Sequence, residues 1–296
     1  MKHGAPLSFR MKSEILVTGA TGFLGRHLVE ALQARGHRVH PHSSSQGDIA
    51  RCPLPIEGAN HVFHLAAKSF VPESWTNPQV FYDVNVMGTV NVLEHCRRQR
   101  TPLTLISSYV YGQPQQLPIP ETHPLAALNP YAHTKIMAEE IARFYGLHYG
   151  VRSVIVRSFN LYGPGQSPPF LIPTIVKQVL DPSVATIRVK DLRPRRDYVY
   201  VKDAVDFLLA TLGNDATGVY NLGSGESFSV GDMAELAQRA AGTNKPIVSD
   251  EQPRPQEVMD VKADISRAAS DLGWKPSTSL ASGIAEVVAA ERAARG

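Results

Sequence analysis

The sequence predicts an α/β fold: a doubly wound parallel sheet joined to a smaller lobe that interleaves with it toward the C terminus. Three observations carry that prediction. Short apolar runs of strand length alternate with segments of helical periodicity as far as Asn160. A glycine-rich turn, Thr18-Gly19-Ala20-Thr21-Gly22-Phe23-Leu24-Gly25, links the first run to the first helix. Beyond Asn160 the alternation loosens, with Gly163-Pro164-Gly165 and Pro168-Pro169 interrupting the chain.

Taken in order, Glu14–Thr18 (EILVT) reads as a strand ending in the glycine turn, and 23–35 as a helix closed by Gly36. Residues 37–42 give a second strand and 61–65 (HVFHL) a third; 84–98 follows as a helix and 103–107 (LTLIS) as a strand. A long helix is expected over 131–149 and a buried strand over 153–157 (SVIVR). Helical pieces then fall at 201–211, 230–241 and 280–295, and 219–222 returns one strand to the sheet. The implied organisation is a disordered lead at 1–10, with Met11 as an alternative start. A first domain covers 11–165, with 199–223 returning to it, and a second is built from 166–198 and 224–296.

A chain of 296 residues with 43% hydrophobic content can bury a large core. Lys and Arg number 30 against 27 for Asp and Glu, and a net charge of +3 is not the dense basic face that a nucleic-acid partner requires. The run Arg193-Pro194-Arg195-Arg196 is too short for a polyanion-binding tail. Cys52 and Cys96 stand in no metal-ligand spacing, so no disulfide framework and no metal site is expected. The first ten residues lack the apolar stretch of a secretion signal, and no segment approaches membrane-spanning length. The expectation is a soluble, cytoplasmic protein with no membrane partner.

Gly19, Gly22 and Gly25 lie between a strand and a helix, where glycine lets a pyrophosphate approach backbone amides at a helix N-terminus. A dinucleotide cofactor follows. The end of the second strand reads its adenosine ribose: an acid there suits NAD, whereas a hydroxyl-rich or basic pocket suits NADP. The segment is His42-Ser43-Ser44-Ser45, without an acid, and Arg26 follows the third glycine, so the expectation leans to NADP over NAD.

In Asn129-Pro130-Tyr131-Ala132-His133-Thr134-Lys135, Asn129 can cap a helix and Pro130 fits its first turn. Tyr131 then lies at the positive helix end, with Lys135 one turn on along the same face. An adjacent ammonium lowers the pKa of a phenol, so Tyr131 is expected to exchange a proton with a substrate alcohol or ketone. Ser107, at the carboxyl end of a predicted strand, can hold the reacting oxygen, with Ser108 as its rival.

The glycine segment, His64-Leu65-Ala66-Ala67, Ser107-Ser108-Tyr109-Val110-Tyr111-Gly112, Tyr131 to Lys135, Arg157-Ser158-Phe159-Asn160 and Arg196-Asp197-Tyr198-Val199-Tyr200-Val201-Lys202-Asp203 occur in that order. This set resembles the extended short-chain dehydrogenase/reductase family acting on nucleotide-sugars, over nearly the whole chain after Lys12. The resemblance implies a Rossmann dinucleotide-binding domain and a C-terminal substrate-binding domain, with a catalytic triad of Ser107, Tyr131 and Lys135. For the cofactor it implies Gly19, Thr21, Gly22, Phe23, Leu24, Gly25, Arg26, Ser43, Asp48 in Gly47-Asp48-Ile49, Ile49, Leu65, Ala66 and Ala67, besides Tyr131 and Lys135. Asn85 matches a structural position beside the site. For a nucleotide-diphosphate sugar it implies Lys68, Ser108, Tyr109, Asn160, Arg196 and Arg254; arginine forks suit a diphosphate. Asp197 is an obvious ion-pair partner for an arginine.

The family's sugar 4,6-dehydratases place an acidic pair where this chain has Ser108 and Tyr109, so elimination of water is not expected. The stretches Val189-Lys190-Asp191-Leu192-Arg193-Pro194-Arg195-Arg196-Asp197 and Phe159-Asn160-Leu161-Tyr162-Gly163-Pro164-Gly165-Gln166 are similar to those of enzymes handling GDP-mannose derivatives, including the 4-keto-6-deoxymannose reductases. The first expectation is therefore an NAD(P)H-dependent reductase of a nucleotide-linked 4-keto sugar. The alternatives are a nucleotide-sugar 4-epimerase that keeps its cofactor, and a cofactor-sensing regulator without turnover. The resemblance also implies a homodimer paired through the 84–98 and 131–149 helices, with Val86, Val90, Leu93, Ile136, Ile141 and Phe144 as apolar positions.

Overall fold

The computed structural model describes residues 12–213, 215–251 and 257–295. The expected lead at 1–10, and Arg254, lie outside the described residues. From the N-terminus the elements run β1 (Glu14–Thr18), α1 (Phe23–Ala34), β2 (Arg38–His42), β3 (His61–His64), α2 (Val71–Thr76) and α3 (Pro78–Phe81). A π-helical stretch (Tyr82–Met87) leads into α4 (Gly88–Gln99), β4 (Leu103–Ser108), α5 (Pro130–Tyr149), β5 (Ser153–Ser158) and β6 (Asn160–Tyr162). There follow α6 (Leu171–Leu180), β7 (Ile187–Val189), β8 (Arg195–Arg196), β9 (Tyr198–Tyr200), α7 (Val201–Thr211) and β10 (Gly218–Leu222). The last are β11 (Phe228–Ser229), α8 (Val230–Ala241), β12 (Ile247–Ser249), α9 (Ser266–Leu272) and α10 (Leu280–Ala293).

Six strands form one parallel sheet in the order β10-β5-β4-β3-β1-β2. Continuous apolar strands such as Ile15-Leu16-Val17 are buried on both faces, as helices on either side of a parallel sheet require. One face packs Leu16, Val62, Leu105 and Ile155 against Leu93, Ala138 and Ala142 of α4 and α5. The other packs Ile15, Val17, Phe63 and Val156 against α1 and α7, and that core runs on without a break into α6, α8 and α10. Strand β10, supplied from beyond residue 213, pairs with β5 as the edge of the sheet.

Two sequence expectations are revised here. The segment expected as one helix over 84–98 begins as a π-helical turn, where Asn85 donates 2.9 Å to Thr134 Oγ1 and 3.0 Å to the Lys68 carbonyl. Such turns widen a helix to carry a side-chain bond inward. The stretch expected to loosen after Asn160 resumes as helix α6 just beyond Pro168-Pro169, with Pro173 in its first turn, where its missing N–H costs nothing. Among the described residues no helix is long and apolar enough to cross a membrane.

Candidate active site

The site gathers at the carboxyl ends of β1, β3 and β4. At β1 the chain turns so sharply that side chains cannot be accommodated. Gly19 has φ +69°, and a Cβ on it would lie 2.6 Å from the amide nitrogen of Ala66. A Cβ on Gly25 would lie 2.2 Å from the Gly19 carbonyl oxygen. Gly22 begins α1 with no side-chain cap and no acid in the first turn, leaving the amides of a helix N-terminus for an anion. Thr18 Oγ1 accepts 3.3 Å from Ala66 N and is hydrogen-bonded, at 2.7 Å, to His64 Nδ1, which ties Leu65-Ala66-Ala67 to the turn. This cradle fits a dinucleotide pyrophosphate.

Around it, Thr21 is exposed, Phe23 packs at the edge of the core and Leu24 is buried within it. Arg26 Nη2 donates 3.0 Å to the Gly165 carbonyl, closing α1 onto the loop after β6. At the end of β2, the Ser43 amide donates 2.9 Å to Gln46 Oε1 and its hydroxyl lies 2.8 Å from Ser45 Oγ. His42 beside it is 3% exposed, is held below the ordinary imidazole range by burial, and has a ring nitrogen without a hydrogen-bond partner. Asp48 caps its own turn, accepting 3.0 Å from Ala50 N, and Ile49 is buried against Gly88.

Helix α5 starts where the capping signal placed it. Asn129 Oδ1 accepts 2.8 Å from Ala132 N, and Pro130 fills the first turn. Three consecutive residues of β4 meet this helix. The Ile106 carbonyl accepts 2.6 Å from Lys135 Nζ, Ser107 Oγ donates 2.6 Å to Glu139 Oε1, and Ser108 lies close enough to the Tyr131 phenol to favour its ionised form. The Ser107 hydroxyl expected at the reacting oxygen is thus engaged by Glu139. The Ser107 side chain is 3% exposed and faces the middle of α5, whereas Ser108, the last residue of the strand, reaches the rim.

The electrostatics also differ from expectation. Burial pushes Tyr131 up to about 12, opposed by the Ser108 hydrogen bond and reinforced by Tyr109. Burial pulls Lys135 down to about 8 against the attraction of Glu139. Lys135 donates a hydrogen bond to the Ile106 carbonyl, and at Tyr131 burial outweighs the acidification that the sequence suggested. Tyr131 therefore stands as a neutral phenol.

On the other side of Tyr131, Tyr109 stacks on Phe159, with ring centroids 5.1 Å apart, and donates 3.2 Å to Asn160 Oδ1. Asn160 Nδ2 donates 2.9 Å to the Asp197 carbonyl. Lys68 lies 3.7 Å from Glu73 and its backbone is clasped by Asn85. Arg196 pairs with Glu257 and donates 2.5 Å to the Val258 carbonyl. Asp197 is fully buried and pairs with backbone rather than with an arginine: it accepts from the amides of Ser224, Gly225 and Ala263 at 2.6 to 3.0 Å. Sequence reasoning missed Glu139 and Arg157, although Tyr131, Lys135 and Glu139 recur at the four-residue spacing of one helix face.

The family model for GDP-mannose 4,6 dehydratase matches residues 57–287. The chain belongs to the extended short-chain dehydrogenase/reductase family of nucleotide-sugar enzymes. Members of this family are NAD(P)-dependent epimerases, reductases and dehydratases. The chain is 32% identical to a putative UDP-glucose 4-epimerase of Methanocaldococcus jannaschii, over 93% of its own length and 97% of the relative's. It is 31% identical to the GDP-6-deoxy-D-mannose reductase of Pseudomonas aeruginosa, over 91% and 94%. Among solved structures it matches the UDP-glucose 4-epimerase of Thermotoga maritima with UDP-glucose, at a TM-score of 0.89 and 27% identity over 96% and 100% of the chains. It matches RMD from Pseudomonas aeruginosa complexed with NADPH at a TM-score of 0.87 and 28% identity over the same shares. A match to a dehydratase family model stands beside a site in which Tyr131 is flanked by Ser108 and Tyr109 rather than by carboxylates.

Proposed function

We propose that this enzyme reduces the C4 carbonyl of a nucleotide-diphosphate 4-keto sugar, with Ser108, Tyr131 and Lys135 as its catalytic residues. The observation that carries this reading is the placement of Tyr131 and Lys135 on one face of α5 against the end of β4, with the hydroxyls of Ser108 and Tyr109 rather than carboxylates beside Tyr131. A reductase begins by giving a proton, and a buried phenol held up to about 12 is protonated throughout the working range. The Ser108 hydroxyl donates to the carbonyl oxygen as negative charge develops on it. Tyr131 transfers its proton to that oxygen, and Lys135, one turn on, holds the ribose of the nicotinamide. A nicotinamide dinucleotide in the glycine cradle supplies the hydride.

NADP is the preferred form on this reading, because the β2 end offers Ser43, Ser45 and the neutral His42 and no carboxylate for a ribose 2′-hydroxyl. The likeness to RMD with NADPH supports it. Asn160, Arg196 and Arg254 serve the nucleotide-diphosphate, and Tyr109 the sugar. The Arg196–Glu257 pair opens or is shared when the diphosphate arrives.

Epimerisation at C4 is the second reading, favoured by the likeness to UDP-glucose 4-epimerases. The same three residues serve it, with Tyr131 first taking a proton. Incubation with NADPH and a GDP- or UDP-linked 4-keto-6-deoxyhexose separates the two. Stoichiometric loss of absorbance at 340 nm supports the reductase, whereas interconversion of UDP-glucose and UDP-galactose without added cofactor supports the epimerase. Tyr131→Phe that retained wild-type turnover in both assays overturns both.

A further inference from the structure

Beneath the site lies a buried ionic cluster that the chemistry above leaves unassigned. Glu139 is fully buried, one helical turn from Lys135, and its carboxylate is saturated. Oε1 accepts 2.6 Å from Ser107 and 3.1 Å from Arg157 Nε; Oε2 accepts 2.8 Å from Arg157 Nη2 and 2.7 Å from Arg143 Nη2. Arg157, 2% exposed, also donates 2.9 Å to the Glu121 carbonyl and lies 5.0 Å over the Tyr111 ring. Tyr111 donates 2.5 Å to Asn221 Oδ1, which carries the cluster across β5 to β10.

Burying a carboxylate costs several kcal/mol even when paired, and an apolar cluster of equal volume would serve stability at least as well. The site supplies a reason to keep the charge. The Ser107–Glu139 bond lies one turn below the Lys135–Ile106 bond and two below Tyr131, so it fixes the register of α5 on β4. We propose that Glu139 is the positioning residue of this active site: through Ser107 it locks α5 onto β4, and its charge keeps the ammonium of Lys135 beside Tyr131. The catalytic meaning of this role rests on the function proposed above.

The surroundings leave Glu139 as the carboxylate that acts on Lys135. His64 on β3 is buried and held down to about 3, hence neutral. Arg157 on β5 and Arg143 on α5 oppose the effect of Glu139. On the other elements packed against α5, Glu73 faces Lys68, Glu94 faces Arg97 and Tyr145, and Tyr82 faces His133. Asp83 on the π-turn is half-buried.

The test needs no substrate. In protein labelled with ¹³Cε-lysine, the Lys135 resonance is assigned by its loss in Lys135→Met and followed through pH. The wild-type midpoint is expected near 8. Glu139→Gln, which keeps the volume and an acceptor for Ser107, lowers that midpoint by about one pH unit or more. Arg143→Met, at a side chain 44% exposed and outside the catalytic machinery, raises it by about half a unit. It decides the matter should the Gln variant fail to fold. A Lys135 midpoint unmoved in the folded Gln variant, or in Arg143→Met when that alone folds, overturns the role of Glu139. In turnover the alkaline limb of kcat/KM moves with the midpoint. A chain that reduces or epimerises no sugar nucleotide overturns the proposed function instead, and the midpoints still answer for Glu139.

Discussion

Ser107, the penultimate residue of β4, donates 2.6 Å to Glu139 of α5, while Ser108, one residue later, is the hydroxyl that acts on the Tyr131 phenol. The two serines should separate cleanly on mutation. Ser108→Ala removes a donor to the reacting oxygen and is expected to lower kcat about a hundredfold with little change in melting temperature. Ser107→Ala leaves a buried carboxylate with one donor fewer and is expected to cost about 1–3 kcal/mol of stability, with a smaller loss of kcat. Steady-state kinetics and thermal unfolding of the pair check this; equal kinetic losses would return Ser107 to the reacting oxygen.

The burial of Lys135 sets a stability trend at alkaline pH. Its folded pKa, about 8, lies below the unfolded value of 10.5, so between these values the unfolded chain binds more protons. Stability from this group therefore rises as pH climbs from about 8 to 10.5, and its penalty is full below 8. Lys135→Met should abolish turnover yet melt higher than wild type at pH 7, by up to about 3 kcal/mol, with the gap closing toward pH 10. Calorimetry across that range reads it.

Two histidines govern the acid side. His61 and His64 are held down to about 3 by burial, hydrogen-bonded to Thr104 Oγ1 and to Thr18 and Thr89 respectively. Each folded pKa lies below the unfolded 6.5, so the unfolded state takes up the protons first. Stability falls as pH drops from 6.5 toward 3. Denaturant midpoints measured over this range should show a slope approaching two protons, reduced toward one in His61→Gln.

The glycine cradle makes a test independent of chemistry. Gly25→Ala forces a methyl within 2.2 Å of the Gly19 carbonyl and must open the turn, so NADPH binding measured by fluorescence should weaken at least about a hundredfold. Gly36→Ala is the control for strain alone: φ is +82° with nothing within 4 Å, so it should cost about 1 kcal/mol and leave NADPH affinity intact.

Oligomerisation through α4 and α5 is a further expectation, with its surface redefined. Val86 and Leu93 are buried in the core and Ile141 packs against it, leaving Met87, Phe144 and Leu147 exposed at 50%, 51% and 80%. Light scattering at micromolar concentration should give twice the chain mass, and Leu147→Glu should return it toward the monomer.

Much of this was legible in the sequence. Short continuous apolar runs and the cap at Asn129 located the sheet and α5 within a residue or two, because those signals act locally. The choice between Ser107 and Ser108 was not legible, because it depends on how far β4 runs before the chain leaves the sheet. The neutral state of Tyr131 was hidden for a related reason. Spacing brings a cation near, but only the tertiary fold shows that Lys135 donates to the Ile106 carbonyl and that burial dominates at Tyr131. The partners of Arg196 and Asp197 likewise come from segments about 60 and 30 residues away.

The return of β10 to the sheet limits how such an enzyme can be rebuilt. Cutting the chain after residue 165 would strip β5 of its outer neighbour and expose an adhesive edge, while the apolar faces of α1 and β5 would lose the cover that α7 gives them. Specificity engineering here cannot proceed by exchanging one half for that of a cousin. It must go through grafted loops around Tyr109, Asn160 and Arg196, on a frame whose two ends fold only in each other's company.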